Sequence, residues 1–355
     1  MKYTNMKWIR LYMLIVCVAV LCAYHMPGNS LEYKIARLIK ANKIQSLTHD
    51  NVIGMIKKTP AKSEVELGKK LFFDVRFSKN NNLSCASCHE PDKGFSNGVD
   101  FASGTHGNKL SRHVPHLYNL ALNRNMFWDG RATGLEDQLD MVLASKEELD
   151  MNYPELISKL SADALYPELF HQAYPEEGIC KKSIKKAIIA YEKTLLSVDS
   201  KYDKYISGDG SVFDDQEKLG LELFIGKANC VACHKGANLT DDSFHNIGVI
   251  TSDVGRQKID KIGMNKEFES TPYPFFSTFK AFKTPSLRNV SATAPYFHNG
   301  SKKNLREVVE FYNKGGENQD KTGLAKEIVS LGLTDREIDA LVAFLNTLST
   351  NQKLY

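Results

Sequence analysis

Long apolar runs are lacking in this chain. The longest, Leu11 to Ala23, has thirteen residues, where a spanning helix needs about 20. An excess of one charge is also missing: 46 Lys and Arg face 42 Asp and Glu, for a formal net charge of +4 over 355 residues. So weak a field gives no reason to expect a nucleic-acid partner. Tryptophan is nearly absent, and of Trp8 and Trp128 only the second lies beyond the N-terminal segment. Alternating strand patterns are few. What remains is ordinary, 42% hydrophobic and 25% charged, which excludes a disordered, collagen-like or multi-span membrane protein. A chain of this length suggests two domains or three.

Residues 1–28 read as an export signal. Lys2, Lys7 and Arg10 precede the apolar run, and Pro27, Gly28, Asn29 and Ser30 break it. The run suits a signal-peptide core. Leu21 and Cys22 stand where a cleavage site wants small residues, so an uncleaved N-terminal membrane anchor is the alternative. Either way the remainder is expected outside the cytoplasm, in the periplasm.

Seven cysteines are present. Cys17 and Cys22 belong to the export signal, and Cys180 stands alone without an assigned role. The other four form two identical patterns, Cys85-Ala-Ser-Cys88-His89 and Cys230-Val-Ala-Cys233-His234. Cys-x-x-Cys-His is the attachment site of c-type haem: two thiols add across the vinyl groups, and the next residue places an imidazole beneath the iron. Structural zinc would gather four ligands into one small module, yet these pairs lie far apart and each has its own His. A thioredoxin-like motif would not require that His, nor occur twice. Two covalently bound haems are therefore expected.

The flanking sequence repeats as well. Leu67-Gly68-Lys69-Lys70-Leu71-Phe72-Phe73 leads into the first motif, and Leu219-Gly220-Leu221-Glu222-Leu223-Phe224-Ile225 into the second. Each spaces apolar residues along one helical face. Ser183–Val198 is expected to close the first unit, with Ile184, Ile188, Tyr191 and Leu195 on one face. Thr334-Asp335-Arg336-Glu337 is a capping box that opens the closing helix of the second, where Ile338, Leu341, Val342 and Leu345 recur. The Gly-, Asp- and Ser-rich stretch Lys201–Asp215 marks the boundary. The expected fold is mostly α: two cytochrome-c-like haem domains packed together with long loops, an N-terminal one over 29–200 and a C-terminal one over 201–355.

From Leu67 to Leu348 the chain resembles the bacterial dihaem cytochrome c peroxidases and their MauG-type relatives. Beyond the haem motifs, the resemblance rests on Leu71-Phe72-Phe73-Asp74, Phe127-Trp128-Asp129-Gly130-Arg131, Phe244-His245-Asn246-Ile247-Gly248, Lys283-Thr284-Pro285-Ser286-Leu287-Arg288-Asn289 and Ala294-Pro295-Tyr296-Phe297-His298-Asn299-Gly300. It implies that the first haem, on Cys85 and Cys88 with His89 as proximal ligand, meets hydrogen peroxide. His106 then matches a removable distal ligand, which MauG-type members generally lack. Glu148 matches the catalytic acid and Gln138 the residue that orients it. Val142 stands where the family usually has proline, which implies a differently shaped distal loop. Trp128 matches an indole that carries charge between the haems.

The second haem, on Cys230 and Cys233 with His234 as proximal ligand, would relay electrons. Where peroxidases usually place a Met as its far ligand, the alignment of Leu305–Tyr312 puts Tyr312, as MauG-type proteins do. Thioether raises a haem's potential, whereas a phenolate favours ferric iron. Met264, in a Gly/Lys-rich stretch, is a weaker substitute. The family also holds a calcium ion between the haems. Thr293 and Pro295 match its carbonyl ligands, but His113 replaces the Asn ligand, and calcium wants oxygen, which sets the sequence against that site. His49, His116 and His171 read as structural or surface residues, and His245 and His298 as neighbours of the second haem.

Three functions follow. One is reduction of hydrogen peroxide to water with electrons from a small cytochrome c or cupredoxin, supported by His106, Glu148 and Trp128. Another is a MauG-like oxidase that uses peroxide to oxidise residues of a partner protein, supported by Tyr312. The last is an electron-transfer protein without chemistry of its own, which would not need Glu148. Many members of the family pair as homodimers, on which no residue of this chain bears.

Overall fold

The computed structural model describes residues 30–56, 59–262, 278–318 and 321–350. The export segment and Met264 lie outside these residues. No helix among the described residues is long and apolar enough to cross a membrane.

The fold is mostly helical and is built from two cytochrome-c-like domains, as expected. In each, a capped helix leads into the haem motif and packs across a closing helix. Lys62–Phe72 is the first leading helix, started by the Glu64 carboxylate accepting the Ala61 N–H at 2.8 Å. Its buried face, Leu67, Gly68 and Leu71, meets Ile184, Ala187 and Ile188 of the helix Lys181–Glu192. Leu195, expected on that closing helix, is buried beyond its end. The second leading helix, Asp215–Ile225, starts from reciprocal bonds between Asp214 and Glu217, both 2.8 Å. It packs on Asp335–Asn346, where the expected capping box of Thr334 and Glu337 is present.

The repeated Leu-Gly pair has a physical cause. A Cβ on Gly68 would lie 1.8 Å from the Ala187 carbonyl oxygen, and one on Gly220 would lie 2.0 Å from that of Ala340. In both domains the leading helix touches the backbone of the closing one, which only glycine allows. Gly220→Ala must push the helices apart, and overpacking of this kind costs about 1–3 kcal/mol. A chemical-denaturation midpoint unchanged by this substitution would contradict the close approach.

Two features depart from a simple split. The helix Leu31–Ala41 packs through Ile35 and Leu38 into the core of the second domain, beside Leu221 and Phe224. Lys201–Asp215, read as a boundary stretch, holds the helix Lys201–Ile206, and its Tyr202 and Phe213 are buried in that same core. The limits 29–200 and 201–355 therefore stand as a proposal that this N-terminal helix crosses.

Two short antiparallel ribbons place the loops that matter. Asn125–Met126 pairs with Ala132–Thr133 and presents the intervening Trp128. Phe244–His245 pairs with Phe282–Lys283. The ribbons are joined where Lys283 N–H donates to the Trp128 carbonyl at 2.7 Å. Arg112 reinforces the junction, reaching Asp129 at 2.6 Å and Asp253 at 2.7 Å.

Candidate haem sites and the cavity between them

The two Cys-x-x-Cys-His motifs take the same local form. His89 Nδ1–H donates to the Phe95 carbonyl at 2.9 Å, and His234 Nδ1–H donates to that of Leu239 at 3.1 Å. A proline carbonyl, Pro115 or Pro285, adds a second acceptor to each imidazole. Burial holds both imidazoles below their ordinary pKa, His89 at about 4. Each is therefore neutral with its Nε2 lone pair free, the form that ligates iron. Burial also pushes the Cys88 thiol up to about 11 and the Cys230 thiol up to about 12, as for groups walled off from water.

A cavity of 1510 Å³ opens over the first motif. Cys85, Cys88 and His89 line it, as do Gln138, Glu148 and Trp128. Two thiols and a neutral imidazole on the wall of so large a space fit a covalently held haem. Gln138 and Val142 come from the helix Leu135–Ala144, and Glu148 from the turn that follows it. Burial raises the Glu148 carboxyl above its ordinary value, opposed by the charge of Arg131 and a hydrogen bond from Ser145. Its neighbour Glu147 is exposed. Both line the cavity, and tertiary packing distinguishes these adjacent carboxylates by leaving Glu148 less water than Glu147.

Trp128 is partly buried on the same wall, and its indole N–H donates to the His113 carbonyl at 2.8 Å. His106 is not brought to the cavity. Its Nε2 pairs with Asp150 at 2.8 Å, its Nδ1 lies 3.3 Å from the Asn80 amide, and 45% of its side chain is exposed. The loop that carries it is tied to the turn of the acid, since Thr105 N–H donates to the Glu148 carbonyl at 2.8 Å.

At the second motif, Tyr312 on the helix Leu305–Asn313 stands close enough to Cys230 and Cys233 to feel both electrostatically. Burial drives its phenol well above the ordinary range, and no described residue is hydrogen-bonded to its hydroxyl. A half-buried phenol within electrostatic reach of the attachment thiols fits a haem ligand. His245 lies against Cys233 and pairs with Asp241 at 2.9 Å. With the thiol committed to a thioether, that cluster belongs to the second haem.

Several placements were not legible in the sequence. His116, read as structural or surface, lines the large cavity; its Nε2–H donates to Ser286 at 3.2 Å while Nδ1 accepts the Tyr118 N–H. His298 also lines this cavity, stacked on Phe282 at 3.7 Å. Glu192, not singled out at all, is a buried carboxyl on the cavity wall near Cys85, pushed up to about 8 by burial alone. Its only signal was an acidic residue at the end of an apolar helical face. Pro295 lines a separate small space with Val99, Asp100 and Lys303. The lone Cys180 caps the helix Lys181–Glu192, its N–H donating to Ser183 Oγ at 3.0 Å.

Comparison with known proteins gives a consistent picture. Residues 62–211 match the family model described as di-haem cytochrome c peroxidase, and residues 218–349 match that of cytochrome c. The chain is 38% identical over 292 residues to the methylamine utilization protein MauG of Methylorubrum extorquens, covering 82% of this chain and 78% of that one. It is 32% identical over 327 residues to the cytochrome c551 peroxidase of Pseudomonas aeruginosa, covering 86% and 87%. Its fold superposes on a crystal structure of a MauG-like protein associated with microbial copper homeostasis, with TM-score 0.73, 29% identity and coverage of 83% and 92%.

Proposed function

The chain belongs to the di-haem cytochrome c peroxidase and MauG family and is an oxidoreductase of the peroxidase type with two covalently bound c-type haems; we propose that it reduces hydrogen peroxide to water with electrons from a small periplasmic cytochrome c or cupredoxin. The observation that carries this reading is the half-buried Glu148 carboxyl, its affinity for a proton raised, on the same wall as Cys85, Cys88 and His89. Held there by Cys85, Cys88 and His89, a haem would supply redox-active iron for the reduction of peroxide. Glu148 accepts a proton from one peroxide oxygen and delivers it to the other, so that the O–O bond breaks with water as the leaving group. Gln138, which lines the same cavity, is assigned the task of orienting that carboxyl. One peroxide, two electrons and two protons give two waters. Electrons enter at the second motif, and the Trp128 indole passes them across. Read as a signal peptide or N-terminal anchor, the segment 1–28 supports a periplasmic site for this chemistry.

Tyr312 favours a second reading, the oxidation of residues on a partner protein. Steady-state peroxide consumption driven by a reduced cytochrome separates the two. Rapid turnover of the native protein supports the peroxidase and removes the partner-oxidase reading. No turnover with cytochrome or cupredoxin donors, together with a long-lived oxidised form on adding peroxide alone, does the reverse. Tyr312→Met is expected to raise the second haem's potential by roughly a few tenths of a volt, within the span of about 0.8 V that axial ligands set. Redox titration reads this directly. An unmoved potential would remove Tyr312 from the iron.

The outward position of His106 suits an open first site. Asp150 helps to hold it there through a partly exposed pair, which is worth only about 0.2–1 kcal/mol. Asp150→Asn is therefore expected to change the population of His106-ligated first haem by no more than about fivefold, read as low-spin ferric signal by electron paramagnetic resonance.

A further inference from the structure

The resemblance sets a calcium ion between the haems on carbonyls of Thr293 and Pro295 and on an asparagine whose place His113 takes. The residues here do not fit that ion. Calcium gathers six to eight oxygens, whereas His113 brings nitrogen, and its ring N–H is already spent on a backbone carbonyl. Nδ1–H donates to the Val99 carbonyl at 2.9 Å, and Nε2 lies 3.2 Å from Ser96 Oγ, which itself donates to the Val114 carbonyl at 2.8 Å. A cation already stands beside Pro295. Gly98, Val99, Asp100, Ala294, Pro295 and Lys303 line one small cavity, and the Lys303 ammonium pairs with the Asp100 carboxylate and donates to the Gly300 carbonyl at 2.9 Å. A divalent ion placed there would be repelled by this ammonium and would have to take Asp100 from it.

We propose that His113 and Lys303 replace the bridging cation: they bind the loop 96–100 to the loop 293–300 and fix the Trp128 indole, so that the protein works without calcium. Lys303 ties Asp100 of the first domain to Gly300 of the second. His113, only 4% exposed, does more. Its ring holds Val99, its main-chain N–H donates to the His298 carbonyl at 2.7 Å, and its own carbonyl receives the Trp128 indole at 2.8 Å. One residue thus joins a loop from each domain to the side chain assigned to relay charge. A calcium ion would order such loops by collecting their carbonyls. Here an imidazole and an ammonium supply the donors from within, with no ion to lose.

The link to Trp128 rests on its proposed role as a relay, whereas independence from calcium does not, so the experiment has two arms. In the first, metal content and thermal unfolding of the native two-haem protein are measured before and after treatment with the chelator EGTA, and again with calcium added. The expected result is no stoichiometric calcium and an unfolding temperature that neither treatment moves. One calcium retained per chain, whose removal lowers that temperature, would overturn the proposal. In the second, the rate at which the first haem is reduced through the second is compared in native protein and His113→Ala. A loss of about tenfold or more is expected from a displaced relay, with both haem potentials unchanged. An unaltered rate with an intact first-arm result would end the positioning role alone, and a variant that does not fold leaves the first arm to decide.

Discussion

Glu148→Gln is expected to lower donor-driven peroxide turnover by about 10²–10⁴-fold, the range over which a positioned proton-transfer group acts. Glutamine keeps the shape and the hydrogen-bonding reach of the side chain but cannot take a proton from peroxide and return it. Haem content should not change, because the thiols and His89 are untouched. The pH profile gives a sharper test. Burial raises the Glu148 pKa above its ordinary value, and the carboxylate must start ionised to accept a proton. Turnover is therefore expected to rise with pH through this raised pKa, and that limb should vanish in the variant. The consequence for stability has the opposite sign. A carboxyl whose folded pKa lies above its unfolded value contributes stability that is complete below the unfolded pKa and is lost as pH rises through the folded one. Glu148→Gln removes this loss, so at neutral pH the variant should be as stable as the native protein or more so, an activity gained at the expense of stability. A variant that retains most of its turnover would show that the proton travels elsewhere, with Glu192 the next carboxyl to test.

Arg288→Ala is expected to destabilise the fold by about 3–5 kcal/mol, the usual result of removing one partner from a buried ion pair. Arg288 and Asp203 are buried at 0% and 1% side-chain exposure, 2.6 Å apart. The carboxylate also accepts the Leu47 N–H at 2.7 Å and the Ser200 hydroxyl at 2.6 Å. The guanidinium in turn holds the Ala237 carbonyl, three residues past His234, the proposed proximal ligand. Its loss strands a charge in the core and loosens the loop of the second haem. Denaturation midpoints measure the first effect, and the ease with which the second haem is attached reports the second. A loss below about 1 kcal/mol would mean that water reaches the pair, as it does at surface ion pairs. Converting both residues together, Arg288→Met with Asp203→Asn, should recover part of the loss because no lone charge remains.

Arg288 also shows where sequence reading stopped. It lies in the block Lys283–Asn289, which marks the family in the sequence but has no task there. The task depends on Asp203 and Ala237, far away in the chain and brought together only by folding. His106 and His116 make the same point in opposite directions. In the sequence, a histidine between glycines was the better ligand candidate and the other a bland one. In the structure the first faces Asp150 in solvent, and the second is half-buried on the cavity wall.

The sequence alone determined what is local or covalent. Thioether attachment needs two cysteines and a histidine in a row, and that chemistry is complete within five residues. Helical faces repeat every three or four residues, so the leading and closing helices were legible, as was the Leu-Gly pair common to both domains. Tertiary structure decided everything that depends on burial and distant partners. It left Glu148 with less water than Glu147, turned His106 outward, buried Glu192 and brought Tyr312 within electrostatic reach of the second pair of thiols. Proton affinity and ion pairing are set by how much water a group keeps and which charges face it, and neither quantity exists until the chain has folded.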